Sequence, residues 1–95
     1  MSEDRLIWFT GRECEHCKEL RPIVAEFMDE YGVEIEELEV WHDERNANLL
    51  RKYGEDIAEA CGGDLAVPSF YNEATGSALC GKVTKELLKL WADIE

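Results

Sequence analysis

An apolar run, Leu6-Ile7-Trp8-Phe9, leads through the turn Gly11-Arg12-Glu13 into Cys14-Glu15-His16-Cys17 and then into one helical stripe. This order of strand, dithiol and helix constrains the fold more than any other feature. After the cysteines, apolar residues fall at Leu20, Ile23, Val24, Phe27, Met28 and Tyr31. That i, i+3, i+4 spacing predicts one amphipathic helix from Cys14 to Tyr31, and Gly32 ends it. A C-x-x-C at such a junction puts its first sulfur at a helix N-terminus. Unpaired N–H groups and the helix dipole there stabilise a thiolate, the form that attacks disulfides. The rival reading is half of a structural zinc site. It needs two further ligands, usually a second closely spaced pair, and the sequence has none.

The remaining elements follow from periodicity and punctuation. Leu6 to Thr10 reads as a buried strand. Val33, Ile35, Leu38 and Val40 read as a second strand running through Trp41, with a bulge or bend at Glu36-Glu37 where the apolar phase shifts. Asp43 or Asn46 caps a helix carrying Leu49, Leu50, Tyr53, Ile57 and Ala60, and Gly54 is placed to divide it. Cys61-Gly62-Gly63-Asp64 is a loop. Val67 to Tyr71 and Ser77 to Cys80 form a hairpin around the turn at residues 72–76. Thr84 caps a last helix with Leu87, Leu88, Trp91 and Ile94 on one face. Trp8, Trp41 and Trp91 are expected in the core, and His42 is expected to be a solvated loop residue. The order is β-α-β-α-β-β-α, an α/β protein. The first βαβ unit implies parallel strands, the second half an antiparallel hairpin, and together a mixed four-stranded sheet flanked by helices.

Composition excludes several function classes. The 95 residues make one domain, 1–95, with neither linker nor repeat. With 10 Lys and Arg against 22 Asp and Glu the net charge is −12. Binding a polyanion needs clustered cations, so neither nucleic acid nor an anionic membrane is an expected partner. No apolar stretch has membrane-spanning length. The acidic start Met1-Ser2-Glu3-Asp4-Arg5 does not read as a signal peptide. The expectation is a cytoplasmic monomer, in a compartment where a C-x-x-C is more often catalytic than structural.

On these residues the chain resembles the thioredoxin and glutaredoxin superfamily, over about Leu6 to Ile94. The matched features are the C-x-x-C opening the first helix, Pro22 five residues past Cys17, Val67-Pro68 before the third strand, and Gly81 after the fourth. The resemblance implies a thioredoxin fold. It also implies a cis bond before Pro68, lying against the active-site sulfur, and room at Gly81 for a substrate chain. The chain departs from thioredoxins at Trp8, where many carry a buried aspartate, and at Glu13, where they carry tryptophan. It departs from glutaredoxins at Ala66 and Cys80-Gly81, in the segments that hold glutathione, and it lacks their acidic tripeptide.

The function so implied is thiol–disulfide oxidoreduction, with no cofactor beyond a redox-active Cys14–Cys17 disulfide. Cys14 would attack a disulfide-containing protein or small-thiol substrate, and Cys17 would resolve the mixed disulfide. An electron donor, a reductase or a small thiol, must restore the dithiol. His16 occupies the position it has in periplasmic oxidases with Cys-Pro-His-Cys, which implies a tuning role. Arg12 adds positive potential, while Glu13 and Glu15 oppose it. Val67, Pro68 and Gly81 would bind substrate. Two alternatives belong to other classes. One is a metal or iron–sulfur site joining Cys14 and Cys17 to Cys61 and Cys80. The other is a thioredoxin-like interaction module without redox activity. Cys61 and Cys80 themselves have three readings: small buried apolar residues, a second disulfide or auxiliary thiol pair, or metal ligands.

Overall fold

The computed structural model describes residues 5–81 and 83–94; Met1–Asp4, read above as an acidic start, lie outside the described residues. The elements are β1 (Leu6–Thr10), α1 (Glu15–Tyr31), β2 (Ile35–Glu39), α2 (Glu44–Lys52), α3 (Gly54–Ala60), β3 (Ser69–Asn72), β4 (Ser77–Cys80) and α4 (Lys85–Trp91). One mixed sheet runs in the order β2-β1-β3-β4. β1 pairs parallel with β2 and antiparallel with β3, and β3 pairs antiparallel with β4. The described residues form a small α/β sheet protein with four helices.

Strand alternation sorts the core into two layers. Trp8, Ile35, Phe70 and Leu79 face α1 and α4, where they meet Leu20, Val24, Phe27, Leu88 and Trp91. Ile7, Phe9, Leu38, Tyr71 and Ala78 face α2 and α3, meeting Leu49, Leu50, Tyr53 and Ile57. β1 is central and covered on both sides, which explains its unbroken apolar run. Trp8 stacks on Phe70 with ring centroids 5.7 Å apart, and Phe70 meets Trp91 edge-on at 5.4 Å.

Local chemistry accounts for the element ends. The backbone of Gly32 takes φ 64°, a left-handed cap that glycine adopts without penalty. The Asp43 carboxylate accepts from the Arg45 and Asn46 N–H groups, and the Thr84 hydroxyl accepts from Leu87 N–H at 3.2 Å. The helix expected over 44–60 is divided at Tyr53, and Gly54 opens the second piece.

Four expectations need correction. β2 carries no bulge: its pairing with β1 runs unbroken from Leu6–Ile35 to Thr10–Glu39. The phase shift arises because Ile35 serves one core layer while Leu38 and Val40 serve the other. β2 also ends at Glu39 rather than reaching Trp41, and Trp41 is 51% exposed rather than in the core. Its ring lies past the strand, on the turn that follows β1. β3 begins at Ser69, so Val67 and Pro68 belong to the loop before it.

Candidate functional site

The C-ends of β1 and β2 bring two loops together, and Glu39 ties them. Its carboxylate accepts the backbone N–H groups of Arg12 (2.9 Å), Trp41 (3.0 Å) and His42 (3.0 Å). Partial burial pushes this carboxyl up, but the backbone donors more than offset that and hold it below the ordinary carboxylate range. His42 is exposed, as expected of a loop residue, yet its Nε2 lies 2.9 Å from both Glu13 carboxylate oxygens. That contact, with the His42 and Arg12 charges, lowers the Glu13 pKa despite slight desolvation. The Trp41 ring covers Gly11, so the turn before the cysteines is held from one side by a whole loop.

On this platform Cys14 is the N-cap of α1. Its N–H bonds to the Gly11 carbonyl at 3.1 Å, and its Sγ accepts the Cys17 N–H at 3.1 Å. A sulfur so placed receives both a backbone donor and the positive end of the α1 dipole. Cys14 is 6% exposed and Cys17 0%, so Cys14 is the residue of the pair that reaches solvent. The two are joined as a disulfide, with Cα atoms 5.2 Å apart.

The other sequence-predicted residues divide. Val67 packs against the cluster that contains Cys14 and Cys17. The Val67–Pro68 peptide bond is cis, and the Pro68 carbonyl accepts the Gly81 N–H at 2.9 Å. Gly81 has φ 81°, and a Cβ there would meet no described residue within 4 Å, so space is open beside it among the described residues. Cys14, Cys17 and Val67 thus share one core layer, and Pro68 and Gly81 are tied to each other directly after Val67. Arg12 is exposed and joins through its backbone. His16 points outward, 61% exposed at its side chain, with Nδ1 3.4 Å from Glu19 Oε1.

Cys61 and Cys80 form a second disulfide, Cα atoms 5.1 Å apart. Neither is fully buried, which overturns the reading of two small core residues. The four cysteines are thus paired two and two. Among the described residues no group of three or more His, Cys, Asp or Glu side chains is placed to hold a metal ion. Nor, among them, is any helix long and apolar enough to cross a membrane.

Sequence reasoning missed Glu39, Trp41 and Ser69. Glu39 is one glutamate among many, and no local pattern marks an acid that accepts three backbone N–H groups. Trp41 was assigned by type to the core. Ser69, directly after Pro68, is fully buried, and its hydroxyl has no partner among the described residues. Trp41 also borders a groove of about 410 Å³, lined by Val40, Leu50, Leu65, Ala66 and Val67.

No family model matches the sequence, and a search of curated proteins finds none similar to it. The class defined by fold and site is therefore a small α/β protein with a mixed four-stranded sheet and a C-x-x-C disulfide capping its first helix.

Proposed function

We propose that this protein is a thiol–disulfide oxidoreductase with a thioredoxin-like fold, acting through Cys14 and Cys17. The observation that carries the reading is the Cys14 Sγ at the N-cap of α1, accepting the Cys17 N–H with Cys17 buried behind it. In the reduced protein the same N–H and dipole favour the Cys14 thiolate. That thiolate attacks one sulfur of a substrate disulfide and expels the other as a thiolate. Cys17, deprotonated in turn, attacks the Cys14 sulfur of the mixed disulfide. The substrate leaves with two electrons and takes up two protons in all, and Cys14–Cys17 is left oxidised. An external dithiol or small thiol restores it by the reverse exchange.

In this reading the backbone beside Val67 and Pro68, with the open space at Gly81, receives an extended segment of a protein substrate. His16 and Arg12 set the poise of the couple, and the protein works as a cytoplasmic monomer. The test is reduction of insulin disulfides with dithiothreitol as donor. Activity is expected in the native chain and lost in Cys14→Ser. A native chain no faster than dithiothreitol alone rejects the proposal in favour of an interaction module.

A further inference from the structure

The Cys61–Cys80 bond is unused by that chemistry. Cys61 is the C-cap of α3 and Cys80 the last residue of β4. Leu79 packs in the layer that holds Cys14 and Cys17, whereas Ala78 and Cys61 pack in the other. Cys80 has the phase of Ala78, so this second bond lies on the α2–α3 side of the sheet. The two disulfides therefore belong to opposite core layers.

What connects them is the segment 62–68. Its residues 62–66 are exposed, and residues 64–67 make no backbone–backbone hydrogen bond among the described residues. Val67, near its end, packs against both core layers. Cys61 holds the start of the segment. Cys80 holds its end, because Cys80 pairs with Ser69 and precedes Gly81, whose N–H bonds to the Pro68 carbonyl. The disulfide therefore staples both ends of the stretch that carries Val67 to the core layer containing Cys14, and its sulfurs belong to partly exposed residues.

We propose that Cys61–Cys80 is a second thiol–disulfide exchange site, a switch read by an external dithiol, whose reduction releases segment 62–68 and weakens the docking edge at Val67. A thiolate of the dithiol attacks one sulfur of the pair and forms a mixed disulfide. The dithiol's second sulfur then displaces it. Two electrons and two protons pass to Cys61 and Cys80, and the dithiol leaves as its own disulfide. Only the docking consequence rests on the proposed function; the exchange site and the release of the segment do not.

The experiment is a titration of the full chain in dithiothreitol buffers of graded potential, with alkylation and peptide mapping to assign each thiol. It is repeated on Cys14→Ser/Cys17→Ser, which keeps only the second pair. Reversible reduction of Cys61 and Cys80 in the folded protein is expected. Amide exchange at Gly62, Gly63 and Gly81, whose N–H groups bond to the Glu59, Ala58 and Pro68 carbonyls at the two ends of the segment, should then rise at least about tenfold while β1 and α1 stay protected. Reduction only after denaturation, or unchanged exchange at Gly62, Gly63 and Gly81, overturns the switch. In the native background, Cys61→Ser/Cys80→Ser should lower kcat/KM for a protein disulfide about tenfold through KM, as a less preorganised docking edge would. The alkylation rate of Cys14 should not change. An unchanged KM overturns the docking consequence. A native chain with no reductase activity rejects the proposed function, while titration and amide exchange still decide the switch.

Discussion

The ring of Trp41 lies against Gly11 so closely that a Cβ on Gly11 would stand 2.2 Å from it. A half-exposed tryptophan thus packs on the turn that delivers Cys14, and only a glycine fits beneath it.

Gly11→Ala should therefore push the Trp41 ring outward and destabilise the protein by about 1 kcal/mol. Trp8 and Trp91 are each 2% exposed, so the shift should appear as a red-shifted contribution to tryptophan emission from Trp41 alone. Combined with Trp41→Ala, the cost of Gly11→Ala should largely vanish, since neighbours in contact are not additive. Additive costs in that cycle would show that the contact is not what excludes a side chain.

In the reduced protein, iodoacetamide should label Cys14 well before Cys17, following their exposures of 6% and 0%. Cys17→Ser should accumulate mixed disulfides with substrate, and Cys14→Ser should form none. Faster labelling of Cys17 would reverse the assigned roles.

Glu39→Ala should lower Tm and speed amide exchange at Arg12, Trp41 and His42, the three donors it gathers. Glu39→Gln keeps an acceptor oxygen and should recover part of the loss. Its native pKa is depressed, so the stabilisation is full above the ordinary carboxylate value and falls as pH drops through the lowered one. Equal Tm values for Glu39→Ala and the native chain at pH 7 would remove Glu39 from this role.

Arg5, Tyr53 and Glu73 form a second pH-sensitive group, with Arg5 just before β1 and Glu73 just after β3. Burial favours the neutral Glu73 carboxyl, but Arg5 and the Tyr53 hydroxyl outweigh it and hold the pKa below 4.5. Burial and the nearby Glu73 push Tyr53 up, from 10.0 to about 12. The Glu73 contribution is lost as pH falls through its lowered value. The Tyr53 contribution is full below pH 10.0 and lost as pH rises toward about 12. Tyr53→Phe should be less stable than the native chain at pH 8, and the gap should close above pH 10.0. A gap independent of pH would show that the hydroxyl does not couple to Glu73.

His16→Ala should make the Cys14–Cys17 couple more reducing, because it removes the one side chain of the C-x-x-C interior able to carry positive charge. The check is equilibration with a thiol buffer of known potential. A higher potential in the variant would mean that Glu13, Glu15 and the helix terminus dominate.

Much of this was legible in the residues because local rules and tertiary demands agreed. β1 was readable from its apolar run, α1 from its stripe and Gly32, and α4 from Thr84. The ends of β2 were not, because an edge strand serving two layers mixes two phases, as Ile35 against Leu38 and Val40 shows. Trp41 misled because hydrophobic type says little about a residue that packs on backbone rather than in a core. The partnership of Cys61 and Cys80 stood as one of three readings and could not be singled out, for a different reason. Nothing in a sequence states that a helix end and a strand end nineteen positions apart will meet.

The order β2-β1-β3-β4 leaves two open rims where another chain's strand would find free hydrogen-bonding groups. β2, on one rim, reads Ile-Glu-Glu-Leu-Glu, so a docking strand would meet a row of carboxylates. β4, on the other, is four residues long and bound covalently to α3. Three glutamates thus stand on the rim that no staple protects, where like charges would oppose the stacking of a second copy's β2.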